Sequence, residues 1–181
     1  MSDIFEGNEN DFVTGAALGG LMSKDRARGD TPEMVAFRAF FDSIDSPHFS
    51  ADEFMVLGPS HHSNGPCSGK NSLPDKALWS NVKPLVVVMN AIRDTLGASV
   101  RITNCYRNQA YNSCVGGVSG SLHKSFQAAD WVCSTGTSAD WARAAQQVRA
   151  SATTGFKGGI GIYNGFVHVD VRGSNADWDN R

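Results

Sequence analysis

Apolar residues recur three and four apart at Met34, Phe37, Phe41 and Ile44, with Phe40 beside them, which predicts a helix facing a core. Thr31 suits the N-cap, Pro32 the first helical position and Glu33 the positive end of the helix dipole, while Asp45-Ser-Pro47 ends the run. A second stripe, Leu85, Val88, Met89, Ile92 and Leu96, predicts a helix from about Pro84 to Leu96, with Gly97 just past its end. Trp141, Ala145 and Val148 mark a third helix over about 139–150, for which Ser138 is the expected cap. The pattern then changes period. Val100 and Ile102 alternate with polar neighbours and predict a strand at about 99–104; another is expected over 128–133. Gly159–Tyr163 and Phe166–Val171 read as two closing strands joined by Asn164-Gly165, a strong hairpin signal. Helices first and strands mixed with one helix afterwards imply an α+β fold, with a small antiparallel sheet packed against helices.

Composition narrows the function classes. The 181 residues suffice for one domain with its own core. Sixteen basic against 18 acidic residues give a net charge of −2, which argues against nucleic acid as a partner. The acidic start, Met1–Asn10, has neither a basic nor an apolar signal region, so no signal peptide is expected. The apolar stretch Phe12–Met22, broken by Gly15, Gly19 and Gly20, predicts at most a short helix and falls short of a membrane span. The cysteines, at 67, 105, 114 and 133, form no C-x-x-C pair. In a chain made in a reducing cytosol they are expected as free thiols, with Cys105 and Cys114, which flank a loop, able to pair in an oxidising setting.

Two histidines keep suggestive company. His123 precedes Asp130 by seven residues, and His168 lies in Phe166-Val-His-Val-Asp-Val-Arg172. Strand alternation puts His168 and Asp170 on one face and Val167, Val169 and Val171 on the other. Two imidazoles and a carboxylate form a zinc ligand set that leaves a fourth position for water. His61 and His62 lie in a Gly/Ser/Pro loop and are expected to be solvated; His48 is expected to pack or cap. Gly158-Gly-Ile-Gly161 lacks the spacing and the following helix of a phosphate loop, and Ser119 and Ser121 lack a nucleophile-elbow pattern.

The blocks Asn104-Cys-Tyr-Arg107, Asn112-Ser-Cys-Val-Gly-Gly117, Ser121-Leu-His123 with Asp130, Gly158–Tyr163 and Phe166–Gly173 occur in one order. In that order the chain resembles the zinc D-alanyl-D-alanine carboxypeptidase family, a group that includes hedgehog-type domains and phage cell-wall endopeptidases. The resemblance covers about residues 46–178. It implies a catalytic domain over 46–181 and an N-terminal extension over 1–45 whose amphipathic helix is a candidate docking segment for a virion protein. It also implies one zinc ion held by His123, Asp130 and His168. Arg107 would bind or polarise substrate, Tyr106 and Ser121 would flank it, and Asp170 would be the base or, alternatively, a residue that orients a ligand or Arg172. Two positions depart from the pattern: Gly165 stands where members with an acid-x-x-His arrangement carry Glu or Asp, and Phe126 where the family usually has Gly. The implied function is a zinc peptidase acting on peptidoglycan stem peptides, as a phage endolysin held in the host cytoplasm until lysis or as a virion-associated lysin. The alternative is a zinc-containing binding or virion module of the same fold without catalysis.

Overall fold

The computed structural model describes residues 31–181, so the helix expected near 12–22 lies outside the described residues. Helix α1, Pro32–Phe41, starts where its sequence places it: the Thr31 hydroxyl accepts the Met34 N–H at 3.2 Å, and Pro32 takes the first position. Met34, Phe37 and Phe41 are buried. The Phe37 ring meets Trp79 edge-on at 5.2 Å and Phe126 at 6.0 Å, so α1 belongs to the main hydrophobic cluster. Two single-turn helices, α2 (Ala51–Phe54) and α3 (Pro59–His62), and a 3-10 helix over Lys76–Val82 lead to α4, Lys83–Leu96. Leu85, Val88, Met89 and Ile92 form the buried stripe of α4, and Gly97 closes it in the left-handed conformation that glycine adopts without strain, at φ 60°.

The rest of the chain builds the sheet. Strand β1 (Val100–Asn104) is followed by α5 (Gln109–Cys114), a 3-10 turn (Leu122–Ser125), β2 (Ala128–Cys133) and α6 (Ser138–Ala150). Strands β3 (Gly159–Tyr163), β4 (Phe166–Asp170) and β5 (Ala176–Asn180) complete it, in the spatial order β1-β2-β4-β3-β5. Every neighbouring pair is antiparallel except β3 with β5. One face buries Ala129, Trp131, Ile160, Val167 and Val169, with α6 lying against β2, β3 and β4, and α4 against α6. Each aliphatic side chain so buried contributes about 1.5–3 kcal/mol. The α+β class and the Asn164-Gly165 hairpin follow the sequence pattern. Among the described residues, no helix is long and apolar enough to cross a membrane.

Three local expectations are corrected. The cap of α6 is Thr137, not Ser138: Thr137 and Asp140 exchange side-chain and backbone hydrogen bonds in a capping box, which satisfies two helix-end N–H groups where Ser138 would satisfy one. The chain ends in a third strand, β5, whose Ala-Asp-Trp-Asp-Asn sequence has no apolar alternation because it is a largely exposed edge strand. The cysteines are not all free: Cys67 is bonded to Cys114, while Cys105 and Cys133 are buried thiols. Cys105 is turned into the core. The loop at 58–76 folds back onto α5 through Asn71, whose side-chain oxygen accepts the Asn108 N–H at 3.0 Å, and this brings Cys67 to Cys114.

Candidate metal centre

Sheet register assembles the site. Asp130 on β2 lies directly opposite His168 on β4, and Gly161 on β3 lies opposite His168 from the other side. Directly opposed residues share a face, so this pairing alone sets the carboxylate beside the imidazole. His123 comes from the 3-10 turn. That turn ends at Phe126, in the left-handed conformation at φ 61°. This is the position where the resembled family usually has Gly, and the backbone conformation gives the reason. Phe126 is held there by burial between Phe37 and Tyr106.

Three donor atoms converge. His123 Nε2 is 3.2 Å from Asp130 Oδ1 and 3.1 Å from His168 Nδ1, and His168 Nδ1 is 2.8 Å from Asp130 Oδ1. Among the described residues this is the one group of three or more His, Cys, Asp or Glu side chains with metal-binding spacing. The edge of a tetrahedron built on zinc bonds of 2.0–2.1 Å is about 3.3 Å, so the donors stand close to the separation a zinc ion would set. His168 leaves the open side of the group, with 12% of its side chain exposed against 2% for His123.

Hydrogen bonds behind the donors select the correct tautomers. His123 Nδ1–H donates to the Cys105 carbonyl at 2.7 Å, which leaves Nε2 as a lone pair aimed at Asp130. His168 Nε2–H donates to Asp170 Oδ2 at 3.2 Å, which directs Nδ1 at the same point. With its proton committed to Nδ1, neutral His123 sets a nitrogen lone pair against a carboxylate oxygen, an arrangement that a cation relieves. The donor set therefore fits zinc.

Charge supports the same arrangement. Burial and the Arg107 guanidinium push the His123 pKa down to about 4, so this imidazole is neutral at physiological pH. Burial opposes the charge on Asp130, but the Arg107 guanidinium and the hydrogen bond with His168 outweigh it and hold the carboxyl well below its usual range. Burial also opposes the charge on His168, yet hydrogen bonds to Asp130 and Asp170 prevail and raise its pKa.

The residues singled out in sequence separate into two groups. His123, Asp130 and His168 come together. Arg107 reaches the site but is buried, and its Nη2 donates to the second oxygen of Asp130. It grips a member of the group. Asp170 stands behind His168, fully buried, and accepts from Arg172 Nε at 2.8 Å, Arg172 Nη2 at 2.6 Å and the Gly159 N–H at 3.0 Å. Burial works against its charge, but His168 and Arg172 keep its pKa far below the usual range. Its place behind the imidazole suits orientation of His168 and not proton transfer at the open side. Gly165 explains the missing acid: it sits in the β3–β4 turn at φ 87°, a conformation that strains any residue with a side chain. Tyr106 turns its half-buried ring onto Phe126 at 6.3 Å, and half-buried Ser121 precedes the His123 turn. His61 is engaged in loop structure, its Nδ1 accepting the Asn71 N–H at 2.9 Å, and His48 pairs with Asp94 at 2.5 Å. Neither histidine joins the metal group.

Sequence reasoning missed two contributors. One is the backbone of 105–107, which clamps the His123 turn through the Cys105 carbonyl and through the Arg107 N–H to the His123 carbonyl at 3.2 Å. The other is Trp178 on β5, whose ring lies 5.4 Å from that of His168. The alternation of Gly159 and Gly161 was its signal, since side chains there would collide with the indole.

With this geometry in view, the class of protein follows from the family comparison. The model of the family described as Peptidase M15 matches residues 47–170, and the chain belongs to that family. M15 peptidases are zinc-dependent, so the chain falls among the metallopeptidases, a class of hydrolases. No curated protein and no solved structure matches it.

Proposed function

We propose that this protein is a zinc-dependent peptidase that cuts the stem peptides of peptidoglycan, of the D-Ala-D-Ala carboxypeptidase or L-Ala-D-amino acid endopeptidase type. The observation that carries the proposal is the convergence of His123 Nε2, Asp130 Oδ1 and His168 Nδ1 within a Peptidase M15 sequence. A zinc ion held by these atoms would supply a Lewis acid for the scissile carbonyl and would activate water. The chain's own residues prepare that chemistry. His123 and His168 offer lone pairs fixed by the Cys105 carbonyl and Asp170. Arg107 holds Asp130 in place and adds positive charge behind the donor group. In this reading Asp170 is a positioning residue, while Ser121 and Tyr106 flank the peptide.

The deployment we infer is that of a phage endolysin in the host cytoplasm before lysis, or of a virion-associated lysin docked on a virion protein through residues 1–45. Because Met34, Phe37 and Phe41 are committed to the core, docking falls to the rest of that segment.

Purified peptidoglycans of several stem-peptide types, incubated with the zinc-loaded protein, are expected to release new amino groups. A chelator and His123→Ala should each abolish the release, and fragment masses should name the bond. No chelator-sensitive release from any wall type contradicts the enzyme reading and leaves the non-catalytic zinc module.

A further inference from the structure

The indole of Trp178 lies flat across β3. Gly161 pairs with Trp178 on one side and with His168 on the other, so the ring crosses above a residue that has no side chain. A Cβ at Gly161 would collide with the indole nitrogen, and one at Gly159 would meet the ring at 2.9 Å. The indole N–H donates to the Tyr163 hydroxyl at 2.9 Å, and the Tyr163 ring is stacked on Phe166 at 4.4 Å, so the indole is fixed in the plane of the sheet face. Trp178 then lies against both side-chain partners of Asp170. Its ring is 5.4 Å from the His168 ring, and the Arg172 guanidinium sits 5.4 Å from the indole centroid on its π face.

This contact answers a physical question about Asp170. An arginine–carboxylate pair open to water contributes little, because solvent screens it. Arg172 is 38% exposed, yet Asp170 beneath it is fully buried. Something must exclude water from the pair, and the indole lies where it can do so. Strand β5 lies beyond residues 47–170, which match the family model.

We propose that Trp178 is a positioning residue for the metal ligand His168, acting as a roof that holds Arg172 on Asp170 and thereby keeps His168 Nδ1 directed at Asp130 and His123. The proposal rests on the zinc reading of that group. Partners behind a metal ligand are worth about 10–100-fold in metal affinity. In competition titrations of the zinc-free protein against a chromophoric chelator, Trp178→Ala should bind zinc at least 10-fold more weakly than wild type, and Trp178→Phe, which keeps a ring over Arg172, should recover most of the loss. Gly161→Ala, which displaces the indole from its seat and leaves every partner side chain in place, should weaken zinc binding in the same direction, and it serves alone if Trp178→Ala does not fold. Wild-type zinc affinity in a folded Trp178→Ala or in Gly161→Ala overturns the proposal. So does a loss confined to KM, which marks a wall for substrate. Wild-type protein that takes up no zinc overturns the metal reading itself, a separate and distinguishable failure.

Discussion

His168 Nε2 lies 3.2 Å from Asp170 Oδ2, so the carboxylate faces the side of the imidazole turned away from His123 and Asp130. This separates two roles that the sequence left together. A base would be needed for turnover and dispensable for metal uptake. A positioning carboxylate is needed for both. Asp170→Asn is expected to weaken zinc binding about 10-fold or more, measured by chelator competition, and to lower turnover at saturating zinc by less than the binding loss. Unchanged zinc affinity with abolished turnover would restore Asp170 as the base.

Phe126 holds a left-handed backbone and is fully buried against Phe37. Phe126→Gly relieves about 1–2 kcal/mol of strain and removes a buried ring whose loss costs about 3–5 kcal/mol. The variant should therefore be about 1–4 kcal/mol less stable in urea unfolding of the zinc-free protein. Equal or greater stability would mean that α1 does not rely on this contact.

The titrating groups set a pH dependence. His123, with a pKa near 4, offers no proton for zinc to displace at neutral pH, whereas His168, with its raised pKa, does. Zinc affinity should rise about tenfold per pH unit until the His168 pKa is passed, and then level off. The same shift governs the zinc-free fold. A raised pKa gives stability that is complete below the unfolded value of about 6.5 and lost as pH rises through the folded one. The depressed pKa values of Asp130 and Asp170 give stability that is present above about pH 4 and lost in acid. The depressed pKa of His123 acts in the acid direction too, costing stability as pH falls from about 6.5 towards 4, so the zinc-free fold, followed by thermal unfolding with chelator, should be most stable near pH 6.5. With zinc the loss on the alkaline side should vanish. A flat profile without zinc would contradict the assignment.

The Cys67–Cys114 bond closes a long loop, with a sequence separation of 47, and touches no member of the metal group. Reduction should lower stability by about 2–4 kcal/mol and leave the zinc affinity of the folded protein unchanged. Unaltered unfolding after reduction would show that the pair is not formed in solution.

Much of this was legible in the sequence, for reasons that can be named. Helices α1 and α4 bury regular aromatic and aliphatic stripes, and the hairpin carries Asn164-Gly165, so local pattern and tertiary structure agree. The group His123, Asp130 and His168, whose donor atoms converge, was legible through ordered motifs. What escaped depends on contacts between distant segments. The Cys105 carbonyl is a backbone group that any residue type could supply. Strand β5 pairs in parallel at an exposed edge, so its polar sequence carries no period. Arg107 and Asp170 were singled out beside that group, but the side of it each one faces is fixed by sheet register, which spacing does not encode. The Cys67–Cys114 pair follows from a loop folding back, where sequence shows only four scattered thiols.

The most direct measurement is diffraction at the zinc absorption edge from crystals of the zinc-loaded protein. The account predicts a single anomalous peak about 2.0–2.2 Å from His123 Nε2, Asp130 Oδ1 and His168 Nδ1. A peak at His61 and His62 or at His48 and Asp94 instead, or no peak at these three atoms in zinc-loaded crystals, would contradict it.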